Sequence, residues 1–106
     1  MTTVKDLFDA MPSKFNPEPA AGLTAVYQFD ITGEGGGKWY AAIEDSKLTV
    51  APGEHPSPSM TLTMAAPDYI AMSTGKLSGQ MAFMTGKLKV KGDLALAMRM
   101  KSIFGQ

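Results

Sequence analysis

The sequence predicts an α+β domain, because two hydrophobic periods alternate along it. Five short runs place an apolar residue at every second position, and four segments place them every third or fourth. Links rich in proline and glycine separate these runs. At 106 residues the chain is close to the commonest size of one domain, so a single core spanning residues 1–106 is expected.

Val4, Leu7, Phe8 and Met11 recur at i, i+3, i+4 and i+7, with Lys5, Asp6 and Asp9 on the other side. That is a short amphipathic helix, and Pro12 is expected to limit it. NPEPAAG, residues 16–22, is a connector too short to divide domains. From Thr24 the period becomes two: Ala25, Tyr27, Phe29 and Ile31 alternate with Val26, Gln28, Asp30 and Thr32, a strand whose aromatic face turns to the core. GEGGGK links it to a second strand, WYAAIED. Leu48-Thr49-Val50 makes a third, ended by the prolines of PGEHPSP. In SMTLTM, Met60, Leu62 and Met64 alternate strictly with Ser59, Thr61 and Thr63, the cleanest strand in the chain. Two helical segments follow, residues 67–74 and 78–84, each ending in TGKL. The repeat predicts two similar helix stops, with glycine in the left-handed conformation. Leu88 and Val90 alternate with Lys89 and Lys91 in a fifth strand, Gly92 breaks it, and Asp93 is placed to cap a last helix.

Composition excludes several function classes. Ten basic and ten acidic residues cancel, so no overall field recruits nucleic acid or an anionic membrane. Cysteine is absent, which removes disulfides, thiolate catalysis and thiolate metal sites. No apolar run approaches the roughly 20 residues that span a bilayer, and MTTVKDLFDAM lacks the features of a signal peptide. Phe104-Gly105-Gln106 is not a peroxisomal address, and a cytoplasmic protein is expected.

Chemistry-bearing motifs are missing as well. Gly33 and Gly37 enclose three residues and Trp39 follows Lys38, whereas a phosphate loop needs four residues between its glycines and Ser or Thr after its lysine. A flexible hairpin is the reading of that run. His55, the single histidine, lies in a loop and is expected to be solvated. Glu44 and Asp45 are adjacent in extended chain and point to opposite faces, so they form no acid–base pair. No cluster has metal-ligand spacing. No catalysis, cofactor or metal is expected, and Tyr27, Tyr40 and Tyr69 are read as structural, with Tyr69 a candidate hydrogen-bond donor to a ligand.

The last helix is too apolar on too many sides. On a wheel of 100° per residue, Leu94, Leu96, Ala97, Met98, Met100, Ile103 and Phe104 fill well over half the circumference, leaving Ala95, Arg99 and Ser102 outside. A surface helix needs a stripe of only about 100°, so the surplus must meet a further layer, a partner or a ligand. Met64, Met72, Met81, Met84, Met98 and Met100 are candidates to line one space between helices and sheet. Flexible thioether side chains suit either an irregular core or a cavity that takes hydrocarbon of several shapes. Lys101 interrupts the apolar arc. Its stem can cover apolar surface while its ammonium reaches water, or the ammonium can pair with a lipid carboxylate or phosphate at a cavity mouth.

Residues 59–104 strongly resemble the C-terminal half of the sterol carrier protein type-2, nonspecific lipid-transfer family, as a stand-alone domain of the bacterial type. The carrying features are Thr61-Leu62-Thr63-Met64, Asp68-Tyr69 before Met72-Ser73-Thr74-Gly75-Lys76, the run from Ala82 to Val90, and Gly92 before Leu96-Ala97-Met98. A weaker likeness continues upstream through Phe29-Asp30, the glycine-rich hairpin and Trp39-Tyr40. The resemblance implies a five-stranded, mostly antiparallel sheet covered by helices, with a hydrophobic tunnel between them for fatty acids, acyl-CoA, sterols or phospholipids. Its expected walls here are Phe29, Trp39, Leu62, Met64, Tyr69, Met81, Met84, Met98 and Met100, with Lys101 at the mouth. The expected function is noncatalytic lipid binding and transfer, and the alternative is a structural or dimerisation module with a filled core. The peroxisomal tail of some relatives does not follow Phe104, and the first helix lacks a lysine-rich face, so membrane contact is expected to be transient at most.

Overall fold

A computed structural model describes residues 2–18 and 20–104, without the Lys101 side chain. The opening helix α1 (Val4–Lys14) starts at a reciprocal cap: the Asp6 amide donates to Thr3 Oγ1 at 3.1 Å, and the Thr3 amide donates to Asp6 Oδ2 at 3.0 Å. These bonds hold the Asp6 carboxyl below the usual carboxylate range. Val4, Leu7, Phe8 and Met11 are the buried stripe, as their spacing predicts. Pro12 does not end the helix, which continues to Lys14. The proline lacks only the N–H owed to the Phe8 carbonyl, a loss one final turn tolerates.

Five strands follow: β1 (Ala25–Thr32), β2 (Gly37–Glu44), β3 (Lys47–Pro52), β4 (Met60–Ala65) and β5 (Leu88–Gly92). They form one sheet in the order β3-β2-β1-β4-β5. Neighbours are antiparallel except β1 and β4, which run parallel, so the sheet is mostly antiparallel as expected. The β2–β3 turn uses Asp45 and Ser46 at φ 52° and 60°, so Asp45 belongs to the turn and not to the strand in which its sequence neighbours suggest it. The parallel junction is pinned by Ser59: its amide donates to Val26 O at 2.9 Å, and its Oγ accepts the Val26 amide at 3.0 Å.

Between β4 and β5 lie α2 (Ala66–Ser73) and α3 (Gly79–Met84), and α4 (Leu94–Phe104) closes the described chain. The repeated TGKL stops are the same structure twice. Thr74 and Thr85 donate their hydroxyls to Ile70 O and Met81 O at 2.7 and 2.8 Å, and Gly75 and Gly86 take φ of 82° and 79°. The following Lys76 and Lys87 amides then reach back to Ala71 O and Ala82 O.

All four helices cover the sheet face formed by Tyr27, Phe29, Leu62, Met64 and Leu88. The opposite face is polar and carries its own clamp. Gln28, nearly buried there, donates to Trp39 O and Gly53 O at 3.0 Å each, and its Oε1 accepts the His55 amide at 2.8 Å. His55 is therefore a half-buried part of this clamp rather than a solvated loop residue, with its ring edge-on to Tyr40 at 5.2 Å. No helix among the described residues is long and apolar enough to cross a membrane.

Candidate functional site

The helices cover the sheet unevenly, and that decides where space is left. Over β1 and β2 the layer is closed by aromatic packing. Phe8 of α1 is stacked between Trp39 at 4.9 Å and Tyr69 at 5.4 Å, and meets Phe29 edge-on at 5.0 Å. Three expected tunnel walls, Phe29, Trp39 and Tyr69, are thus partners of α1 in a filled core. Met64 also belongs to that buried core.

Over β4 and β5 the layer is open. A cavity of about 610 Å³ lies there, within the roughly 300–1,000 Å³ of small-molecule sites. Its floor is Leu62, Leu88 and Val90, brought together because Leu62 pairs with Val90 and Met64 with Leu88 across the antiparallel ladder. Its other walls are Met72 of α2, Gly79, Gln80 and Phe83 of α3 with the Ser78 cap, and Leu94, Ala97, Met98 and Met100 of α4. Only Ser78 and Gln80 among these twelve lining residues have polar side chains, and none is charged. Phe83, Leu94 and Met98 line the cavity and are also exposed, so the mouth opens to water between α3 and α4.

Of the expected walls, Leu62, Met98 and Met100 meet at this cavity. Met81 and Met84 do not: α3 has six residues and buries only Ala82, which leaves both methionines on the outer surface. Lys101 lies in α4, but its side chain is outside the described residues. The residues that sequence reasoning left out, Leu88, Val90, Phe83 and Ala97, carry weak signals singly. Alternation in LKVK marks the inner face of β5, but nothing local reveals that α3 and α4 reach this strand and still leave a cavity over it.

The position of α4 sets the size of this space. Leu96, Met100, Ile103 and Phe104 are its buried stripe, and the wheel's surplus, Leu94, Ala97 and Met98, turns to the cavity and its mouth. Two hydrogen bonds anchor the helix: Tyr27 Oη donates to Leu96 O at 2.9 Å, and the Asn16 amide donates to Ile103 O at 2.8 Å. Its start is capped by Asp93, whose Oδ1 accepts the Ala95 amide at 3.0 Å.

Burial pushes the Tyr27 phenol up to about 12, with Arg99 opposing the shift and Asp93 adding to it. The ordinary value of 10.0 applies in the unfolded chain, so the folded state holds this proton more tightly. Stability from Tyr27 is complete below pH 10.0 and lost as pH rises toward 12, a drop on the order of 2 kcal/mol. Urea denaturation across that window should show the drop, and Tyr27→Phe should remove it while lowering stability near neutrality by about 1 kcal/mol. An identical alkaline drop in both proteins would count against a buried Tyr27 anchor.

Comparison with known proteins gives consistent findings. The model of a family described as the SCP-2 sterol transfer family matches residues 4–105. Hydroxysteroid dehydrogenase-like protein 2 of Xenopus tropicalis is 38% identical over 104 residues, covering 97% of this chain and 25% of the relative. The chain therefore spans about a quarter of the length of that relative, and 21% of the mouse protein of the same name. Among solved structures, palmitated SCP2L2 of Aedes aegypti superposes with a TM-score of 0.81 at 24% identity, covering 99% of this chain and 96% of that one. The sec-alkylsulfatase Pisa1 of Pseudomonas sp. superposes with a TM-score of 0.84 at 17% identity, covering 97% of this chain but 16% of the enzyme. Both structural likenesses establish the fold.

Proposed function

The chain belongs to the SCP-2 sterol transfer family, and from that premise we propose that it is a noncatalytic, cytoplasmic carrier of long-chain lipids held between β4–β5, α3 and α4. One observation carries the reading: an apolar cavity of about 610 Å³ stands open beside a core of buried side chains. Apolar walls with two polar residues among the lining suit an acyl chain whose head group stays near water. That the Aedes aegypti protein of the same fold is palmitated supports a fatty acid as one ligand class. Acyl-CoA, sterol-like molecules and phospholipids are further candidates, and a contact between Lys101 and an anionic head group belongs to the same proposal.

The absence of activating groups along the wall supports a carrier over an enzyme. Ser78 is the one hydroxyl there, and its Oγ is occupied by the Met81 amide at 3.0 Å. No histidine or carboxylate among the described lining residues can take its proton.

Native mass spectrometry of freshly purified protein, paired with displacement of a fluorescent fatty acid, tests the proposal. An acyl chain should be retained or bound at micromolar concentration. Ala97→Trp places an indole in the cavity and should weaken binding by about thirtyfold, the equivalent of two or three lost methylene contacts. Met98→Gln should weaken it by about tenfold with the denaturation midpoint unchanged, because the side chain is 84% exposed. A protein that binds no acyl chain, or variants that bind as wild type does, would sink the proposal.

A further inference from the structure

Three of the nine methionines, Met72 of α2 with Met98 and Met100 of α4, line the cavity. A thioether sulfur differs from every other atom of an apolar wall in carrying a polarizable lone pair that can be oxidised. It reacts without first losing a proton, so it needs none of the basic groups that the described lining lacks.

The Met72 sulfur is set beside a gap. A Cβ at Gly79 would stand 3.7 Å from Met72 Sδ, so the glycine leaves that side of the sulfur uncovered. Gly79 itself lies between Ser78 and Gln80, which carry the two polar side chains of the lining. The part of the wall able to hydrogen-bond an oxygen on a lipid chain therefore adjoins a sulfur. Water reaches only 7% of Met72 and 6% of Met100, whereas Met81, Met84 and Met98 are 55%, 72% and 84% exposed. An oxidant dissolved in water and one carried in the cavity thus meet different methionines.

We propose that the cavity methionines take oxygen from a bound lipid hydroperoxide and convert it to the alcohol. The sulfur lone pair of Met72, Met98 or Met100 attacks the terminal oxygen, the O–O bond breaks, and the terminal oxygen's proton passes to the departing alkoxide. The hydroperoxide is reduced by two electrons to a hydroxy lipid, and the thioether is oxidised by the same two to a sulfoxide. Confinement supplies the rate: one molecule in about 610 Å³ corresponds to roughly 3 M, against micromolar concentrations in solution. Each sulfur reacts once, so the activity is stoichiometric until a sulfoxide reductase restores the thioether. The proposal rests on the carrier reading, since a bound acyl chain is what brings the peroxide to these sulfurs.

Linoleic acid hydroperoxide, added to the purified protein with a metal chelator present, tests it. Peptide mass spectrometry should find sulfoxide first at Met72, Met98 and Met100, with one hydroxy acid formed per sulfoxide. Hydrogen peroxide, taken to the same total oxidation, should favour the exposed Met81, Met84 and Met98, and oxidise Met72 and Met100 about fivefold less than the lipid hydroperoxide does. Met11, Met60 and Met64, each 1% exposed and away from the lining, should survive both oxidants. Met72→Leu, Met98→Leu and Met100→Leu together keep the apolar volume and remove the sulfurs. At saturating hydroperoxide, where affinity does not enter, this variant should form about tenfold less hydroxy acid. Met81→Leu with Met84→Leu, outside the cavity, should form as much as wild type. Sulfoxide distributed alike under the two oxidants, or a three-leucine variant that converts hydroperoxide as wild type does, would overturn the proposal. Binding of linoleic acid with the hydroperoxide left intact would overturn it while sparing the carrier reading, and failure to bind either acid would sink both.

Discussion

Replacing Phe8 with alanine should destabilise the protein by about 4 kcal/mol, a large part of the roughly 5–15 kcal/mol available to a domain of this size. Phe8 is 1% exposed and touches three aromatic rings from three different elements, Phe29 of β1, Trp39 of β2 and Tyr69 of α2. Alanine would leave a void that Val4, Leu7 and Met11 cannot fill, because the same helix face already commits them to the core. Each aromatic pair adds about 0.5–1.5 kcal/mol beyond area burial, so Phe8→Leu should recover only part of the loss. The urea midpoint should fall sharply for Phe8→Ala. The fraction that stays folded should still bind a fatty acid, since no residue of α1 lines the cavity. A loss below about 1 kcal/mol would mean that α1 is not docked on the sheet in solution.

Gly92→Ala should cost about 3 kcal/mol and weaken acyl-chain binding as well. Gly92 ends β5 opposite Met60 with φ 100°, where a side chain is strained whatever space surrounds it. Space is lacking too: a Cβ would stand 2.7 Å from Ser59 O and 3.0 Å from Met60 Cα, both main-chain atoms. Relief requires β5 to part from β4, and with it the Asp93 amide from Ser59 O, now 3.2 Å apart. That junction sets the direction in which α4 leaves the sheet, hence the width of the cavity. Gly75 and Gly86, at φ 82° and 79°, would meet nothing within 4 Å of an added Cβ, so alanine there should cost only about 1–2 kcal/mol. Equal midpoints for Gly92→Ala and Gly86→Ala would show that the close approach at β5 is not maintained.

Much of the fold was legible because local periods and stops are local physics. Val4, Leu7, Phe8 and Met11 are buried as their spacing requires, Met60, Leu62 and Met64 share one face, and both TGKL segments end helices by the same bonds. Gln28 was not legible. An amide in a strand reads as a solvent-side residue, and only the loop at Gly53 and His55 folding back over it supplies the acceptors and donor that permit its burial.

The candidate site divides in the same way. Composition and periodicity by themselves determined that this protein has more apolar helix surface than its sheet can cover: the wide arc of α4 and the methionines of α3 are properties of the chain. Which part of that surplus encloses a cavity was decided by tertiary structure alone. Phe29, Trp39 and Tyr69 have the hydrophobic character of cavity walls, yet α1 lies over them and Phe8 fills the space between their rings. Val90 and Ala97 look ordinary in sequence, yet they face the part of the sheet that α1 does not reach. Apolar character is a property of a side chain, whereas a cavity is a failure of side chains from distant segments to meet. That failure depends on how helices separated by most of the chain divide one sheet between them.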